Sequence, residues 1–342
     1  MKDIMNVAVV TYEPRWGDKE RNLNRIIGYL ECAAARGANL VVLPETALTG
    51  YDADLDHEGD ERMHHRLAEP IPGPSTEAVA EATHRLGVYA VFGLAERAED
   101  GTVYNAAVAC GPDGVLGRYR KMHLPADEPS WAGRGDEPFM FGTPWGPVGV
   151  SICYDTFVFS EIMRYYRASG CRLIANPFAV NTGVTARNIK DSLEYLAANN
   201  DVYIASANCT GCAISDDFVG GSSVIGPGKN VPAVHYYAGG PCGAPGSDEQ
   251  ELHLGTIDLS YVDKPFLGRR RPGLPPRRLR PLVRRAGRTG ALQAVRRTRA
   301  GARRTTGRAA LRRGRPARMR DLLSLQGSRR PHRRDGNGKA AD

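Results

Sequence analysis

Residues 38–51 read ANLVVLPETALTGY. Asn39 to Leu43 is a short apolar run stopped by Pro44, the pattern of a strand buried on both faces, and it delivers a carboxylate, Glu45, at its end. Working outward, Ile4 to Tyr12 is a second apolar strand. Between them, Asp18 to Arg36 places Leu23, Ile26, Ile27, Leu30 and Ala34 at helical spacing and closes on Gly37. The same logic recurs downstream: Ser75 is expected to cap a helix ending at Leu86, Gly87 to stop it, and Val88 to Leu94 to form a strand. Strands alternating with helices predict an α/β domain.

Tyr104 to Cys110 and Val115 to Arg120 flank Gly-Pro-Asp-Gly and predict a hairpin, with Lys121 just beyond it. Trp145 to Cys153 (WGPVGVSIC) reads as a buried strand, followed by a helix from Phe159 to Ser169 and a strand from Arg172 to Ala175. A helix from about Ile189 to Asn199 and strands Val202 to Ala207, Ser222 to Ile225 and Leu252 to Ile257 complete the pattern. Glu45, Lys121 and Cys153 all stand where a strand gives way to a loop, the usual place for reactive groups in α/β folds.

The 342 residues are 42% apolar, enough for a sizeable core. Seven scattered cysteines form no disulfide framework, which predicts a reducing, cytoplasmic setting. The amino terminus lacks a signal peptide's long apolar stretch and cleavage site, and no run approaches the roughly 20 apolar residues of a membrane span. The net charge of +8 divides sharply: residues 269–342 hold 25 basic and three acidic side chains (+22), leaving 21 basic and 35 acidic in residues 1–268 (−14). We therefore expect an acidic α/β domain over 1–268 and an Arg-rich, disordered tail over 269–342 that holds no aromatic residue. The abrupt change of composition near Arg271 is what shifted-frame translation of a GC-rich gene would produce, and DNA binding is not inferred from it.

Three runs appear in order: LPE at 43–45, YRKMHLP at 119–125 and GVSICYD at 149–155. Together they resemble the nitrilase superfamily of carbon-nitrogen hydrolases. The resemblance extends over residues 1 to about 268 through PIPGPST at 70–76, Glu128 with Trp131 and Gly133, LAANNDVYIASAN at 196–208 and FVGGSSVIGPG at 218–228. It implies an α-β-β-α sandwich, two stacked sheets with helices outside, that assembles as a homodimer or higher homo-oligomer. It also implies chemistry without metal or organic cofactor.

An amide is a weak electrophile, so its hydrolysis needs a strong nucleophile, a base, an oxyanion donor and an acid for the leaving amine. By the resemblance, Cys153 is the nucleophile and Glu45 the proton carrier. Lys121, helped by the Tyr154 backbone N–H, stabilises the oxyanion and favours the thiolate. Glu128 is the second glutamate that positions Lys121 and substrate, with Glu137 as its competitor. Tyr51, Trp131, Tyr154, Asn176 and Phe178 are the implied substrate contacts.

Cys-Tyr-Asp, in place of the Cys-Trp-Glu frequent in nitrilases, favours an amide over a nitrile, and LAANN resembles aliphatic amidases. Thr156, Phe157, Val158 and Phe159 stand where relatives acting on carboxylates often place arginine. The expected substrate is therefore a small amide, with an N-carbamoyl group as the alternative. An inactive scaffold and an Arg-tail nucleic-acid binder are the readings outside catalysis. Cys209-x-x-Cys212 lacks the other half of a zinc site and reads as two small residues at a strand end. His57, His64 and His65 read as solvated or as lining the pocket entrance. Gly220-Gly221 and Gly226-x-Gly228 read as turns.

Overall fold

The computed structural model describes residues 1–182, 186–229 and 231–263. The Arg-rich segment 269–342 lies outside the described residues. In chain order the elements are β1 (Ile4–Thr11), α1 (Lys19–Ala35), β2 (Leu40–Val42), α2 (Met63–Leu67), α3 (Pro74–Leu86), β3 (Tyr89–Arg97), β4 (Val103–Gly111) and β5 (Gly114–Arg120). There follow β6 (Phe139–Thr143), β7 (Gly146–Val150), α4 (Tyr154–Phe157), α5 (Ser160–Ala168), β8 (Leu173–Phe178), α6 (Ala186–Asn200) and β9 (Tyr203–Asn208). The last are β10 (Thr210–Cys212), β11 (Asp217–Val219), β12 (Ser223–Gly228), β13 (Val231–Gly239), β14 (Glu251–Asp258) and α7 (Ser260–Asp263).

Two six-stranded sheets form, ordered β14-β1-β2-β3-β4-β5 and β13-β12-β9-β8-β7-β6, with β10 and β11 as a separate small hairpin. The period-two pleat explains how they stack. In β1, Met5, Val7 and Val9 join the core that also holds β7, β8 and β9 of the other sheet, while Ala8 and Val10 face α1 and α3. In β2, Leu40 and Val42 point inward and Val41 outward. On the far side, Ile162, Met163 and Tyr166 of α5 and Leu193, Leu196 and Ala197 of α6 cover the second sheet. The result is helix, sheet, sheet, helix, the sandwich expected from the sequence.

Helix α1 follows its signals, with Asp18 Oδ1 accepting the Arg21 N–H and Gly37 beyond its end at φ +84°. Helix α3 starts earlier than Ser75 predicts: Gly73 is its cap, Pro74 takes the first position, and Thr76 Oγ1 accepts the Gly73 N–H. Gly87, at φ +68°, terminates it as expected.

Four strands escape the sequence reading: β6 and β13 of the six-stranded sheets and the small pair β10 and β11. β13 holds Pro232, which argues against a central strand, yet β13 lies at the sheet edge where a missing N–H is tolerated. Gly226 and Gly228 prove to be part of β12, not turns, and Gly226 gives room to the Tyr203 ring. Gly220 and Gly221 have the positive φ of turn glycines.

Candidate active site

Three strand ends converge on one place. β2 continues as an extended segment, with Leu43 N–H bonded to Val91 O and Pro44 O to Gly93 N–H, and sets Glu45 against β3. This approach requires glycine at 93: a Cβ there would lie 2.2 Å from Thr46 N and 2.7 Å from Glu45 Cα. Lys121 follows β5, its N–H bonded to Asn105 O and its carbonyl accepting the Gly135 N–H, both at 2.8 Å. Glu128 opens a 3-10 turn over Glu128–Ser130, whose carbonyl accepts the N–H groups of Trp131 and Ala132.

Cys153 comes from the other sheet. Past β7 the parallel pairing with β8 carries on through Ser151 N–H to Ala175 O and Cys153 N–H to Pro177 O. The regular strand ends at Val150, short of the predicted Cys153, because Cys153 turns sharply into α4 at φ +48° and ψ −113°. A non-glycine residue in that region is strained, and strained strand-to-helix turns are a recurrent way of presenting a nucleophile. The Asn176 side chain holds the turn, its Oδ1 accepting the Cys153 N–H at 3.2 Å while its Nδ2 donates to Ser206 Oγ at 3.0 Å.

The charged groups form one buried chain. Lys121 Nζ donates to Glu45 Oε1 at 2.7 Å and to Glu128 Oε2 at 2.6 Å, with all three side chains at 0% exposure. Tyr51 OH donates to Glu128 Oε2 at 2.9 Å, and Asn105 Nδ2 donates to Glu45 Oε1 and Glu128 Oε1, both at 2.7 Å. Buried ion pairs are costly unless their remaining polar atoms are satisfied, and Tyr51 and Asn105 do much of that here. Burial alone disfavours the Lys121 ammonium, but Glu128 and Glu45 outweigh it and hold its pKa well above the usual lysine value. Burial likewise pushes the Glu128 carboxyl up, with Lys121 opposing.

At Cys153 the Lys121 ammonium does favour the thiolate, as expected from the sequence, but larger effects oppose it. Burial is the largest effect, Glu45's negative charge adds to it, and Lys121 offsets only part, so the thiol pKa lies well above normal. The resting group is a thiol whose proton needs an acceptor.

The structure joins the turn at Cys153 to the chain on either side of Lys121 through Asp155, two residues past Cys153 and fully buried. Asp155 Oδ2 accepts Tyr119 OH at 2.7 Å and Met122 N–H at 2.9 Å, and Oδ1 accepts His123 N–H at 2.9 Å and pairs with His123 Nδ1 at 2.7 Å. One carboxylate thus clamps the segment after Lys121 to the turn after Cys153.

The other anticipated residues divide. Tyr51 and Asn176 join the network. Tyr154 is partly exposed beside Cys153, its ring edge-on to Phe157 and Phe159. Trp131 stacks on His64 at 3.9 Å and closes the Glu128 turn, so it buttresses Glu128, while Phe178 is fully buried in the hydrophobic core. Glu137 is exposed. His64 is not solvated: it is fully buried, packed edge-on to Trp16 and against Trp131, with Nε2 on Asp52 O. Cys209 is buried beside the Glu45 carbonyl and Cys212 is exposed on β10, two separate free thiols. Among the described residues no group of three or more His, Cys, Asp or Glu is arranged to hold a metal ion.

Asn105 is the clearest omission from the sequence reading. Its signal was a polar residue inside the otherwise apolar NAAVAC run, on the same face as core residues Ala107 and Ala109.

Residues 6–262 match the family model described as carbon-nitrogen hydrolase. This chain belongs to that family. The hydrolase is 31% identical over 261 residues to a nitrilase from Pyrococcus abyssi (strain GE5 / Orsay), covering 76% of this chain and 92% of the relative. It is 34% identical over 200 residues to omega-amidase NIT2 of Xenopus tropicalis, covering 56% of this chain and 69% of the relative. Among solved structures, an amidase from Nesterenkonia sp. superposes with a TM-score of 0.63 at 21% identity, covering 78% of this chain and 94% of that one. A mutant of the Nesterenkonia sp. AN1 amidase, described as showing Michael addition of acrylamide at the active site cysteine, superposes with a TM-score of 0.62 at 22% identity, covering 76% and 96%. At these identities the structural likeness speaks for the fold. No helix among the described residues of this carbon-nitrogen hydrolase is long and apolar enough to cross a membrane.

Proposed function

We propose that this carbon-nitrogen hydrolase cleaves a small, uncharged amide through a thioester on Cys153, releasing ammonia and a carboxylic acid. The observation that carries the reading is the buried Glu45–Lys121–Glu128 chain, whose charges act on the Cys153 thiol. Glu45 takes the thiol proton as sulfur attacks the carbonyl carbon. The Lys121 ammonium, held charged by two carboxylates, and the Tyr154 N–H at the start of α4 stabilise the oxyanion. Glu45 returns the proton to the departing ammonia, then takes one from the water that opens the thioester. Glu128 holds Lys121 in place and does not move a proton.

An uncharged acyl group is supported by the Thr156, Phe157, Val158, Phe159 run beside the nucleophile, which supplies no cation for a substrate carboxylate. The names omega-amidase and nitrilase among the relatives agree on carbon-nitrogen cleavage and leave the acyl group open. Ammonia release should be measured from short aliphatic amides, carbamoyl amino acids and nitriles with wild type and Cys153→Ala. The expected result is turnover of neutral amides by wild type alone and an acyl-enzyme adduct on Cys153 by mass spectrometry. Undiminished turnover by Cys153→Ala would sink the mechanism, and preferred release of carbon dioxide with ammonia would reassign the substrate to a ureido group.

We further propose a homo-oligomer in a reducing compartment such as the cytoplasm, the latter supported by seven free thiols. Light scattering of the purified chain checks the first, and a monomer at micromolar concentration would refute it.

A further inference from the structure

Asn105 touches every charged member of the site. It stands in β4 with its side chain fully buried. Its Nδ2 carries two hydrogens and lies 2.7 Å from Glu45 Oε1 and 2.7 Å from Glu128 Oε1, so each hydrogen serves one carboxylate. Its backbone carbonyl accepts the Lys121 N–H at 2.8 Å. The amide orientation is set by chemistry: turned over, Oδ1 would face two carboxylate oxygens. Glu45 Oε1 therefore receives two donors, Asn105 and Lys121, whereas Glu45 Oε2 has no hydrogen-bond partner among the described residues.

We propose that Asn105 is a positioning residue that gives the two oxygens of Glu45 different duties, locking Oε1 in the Asn105–Lys121 clamp and leaving Oε2 as the one atom that accepts the Cys153 proton. The proposal rests on reading Glu45 as the proton carrier. A proton arriving at Oε1 would have to displace a donor already bound there, while Oε2 has none to lose. Asn105 also stabilises the charged form of both carboxylates, since hydrogen bonds to an ionised group favour ionisation. The titratable groups facing the pair are Lys121 from the end of β5, Tyr51 from the loop after β2, Cys153 from the turn into α4 and Cys209 from the end of β9.

The test compares wild type, Asn105→Asp, Asn105→Ser and Glu45→Gln. Two readouts are taken across neutral pH: the rate of Cys153 alkylation by iodoacetamide, and kcat and KM for ammonia release from a short amide. In Asn105→Asp the acid limb of both profiles should move up by about 1–2 pH units, the size expected for replacing a hydrogen bond to a charged group by a like charge. Its kcat should fall about tenfold or more with KM within about threefold. Asn105→Ser, which keeps one short donor, should shift less in the same direction. A folded Asn105→Asp that is merely less stable and keeps the wild-type profile would overturn the proposal. Alkylation needs no substrate, so a shifted alkylation profile with no amide turnover by wild type would refute the reaction and leave the role of Asn105 standing. If neither variant folds, neutron diffraction of deuterium-exchanged wild type decides. Deuterium on Nδ2 aimed at both carboxylates supports the proposal, and a reversed amide or a deuteron on Glu45 Oε1 overturns it.

Discussion

At Cys153, burial and the charge of Glu45 outweigh the Lys121 ammonium and raise the thiol pKa, so the proposed attack calls for Glu45 to take the proton as sulfur reacts. Glu45→Gln, nearly the same shape without the base, should fold and lose about 100- to 10,000-fold in acylation rate, read by single-turnover mass spectrometry. A second prediction concerns His64, fully buried and pushed down to about 4 by that burial. The unfolded chain takes up this proton near pH 6.5 and the folded protein only near 4. His64 therefore adds stability above that window, which is lost as pH falls through it, by about 3 kcal/mol at most. Urea unfolding at neutral and mildly acid pH should show a shallower loss in His64→Gln than in wild type, and equal slopes would refute the assignment.

At the scale of elements, the site depends on two close approaches. Gly93 lets the segment after β2 lie on β3, so Gly93→Ala has to push Glu45 away from Lys121. Displacement near 1 Å costs on the order of 100-fold in rate, and kcat should fall by about that much. Asp155 ties α4 to the segment after β5 by hydrogen bonds from Tyr119, Met122 and His123. Asp155→Ala orphans the buried donors of Tyr119 and Met122 and the half-buried donor of His123, and should cost about 3 kcal/mol in thermal or urea unfolding. Asp155→Asn, which keeps part of the acceptance, should fall between. The strands and helices were largely legible here, because β2, α1 and β12 carry periodicities and breakers within a few residues of one another. The cap of α3 and the edge strand β13 were missed, since Thr76 reaching back to Gly73 and Pro232 at a sheet edge depend on position rather than pattern.

For the molecule as a whole, we propose that the fold and its site do not depend on the basic segment. Every strand of both sheets and each of Glu45, Lys121, Glu128 and Cys153 lies within residues 4–263, while the +22 charge lies in 269–342. A chain ending at residue 268 should retain amide turnover within about threefold and lose retention on a polyanion column, because it is net −14. Loss of turnover on truncation would show that the basic segment serves the fold or the site.

The order of residues by itself determined the α/β alternation, the strand ends bearing Glu45, Lys121 and Cys153, and the family. These follow from spacings of two to four residues and from short runs that survive without knowledge of their neighbours. Only the tertiary structure decided that Asn105 joins two carboxylates 60 and 23 residues away, that Asp155 spans two sheets, that His64 is buried, and that burial and Glu45 raise the Cys153 thiol pKa. Each of those depends on which groups packing removes from water and places within hydrogen-bond reach, a property of the folded interior and not of any local stretch of chain.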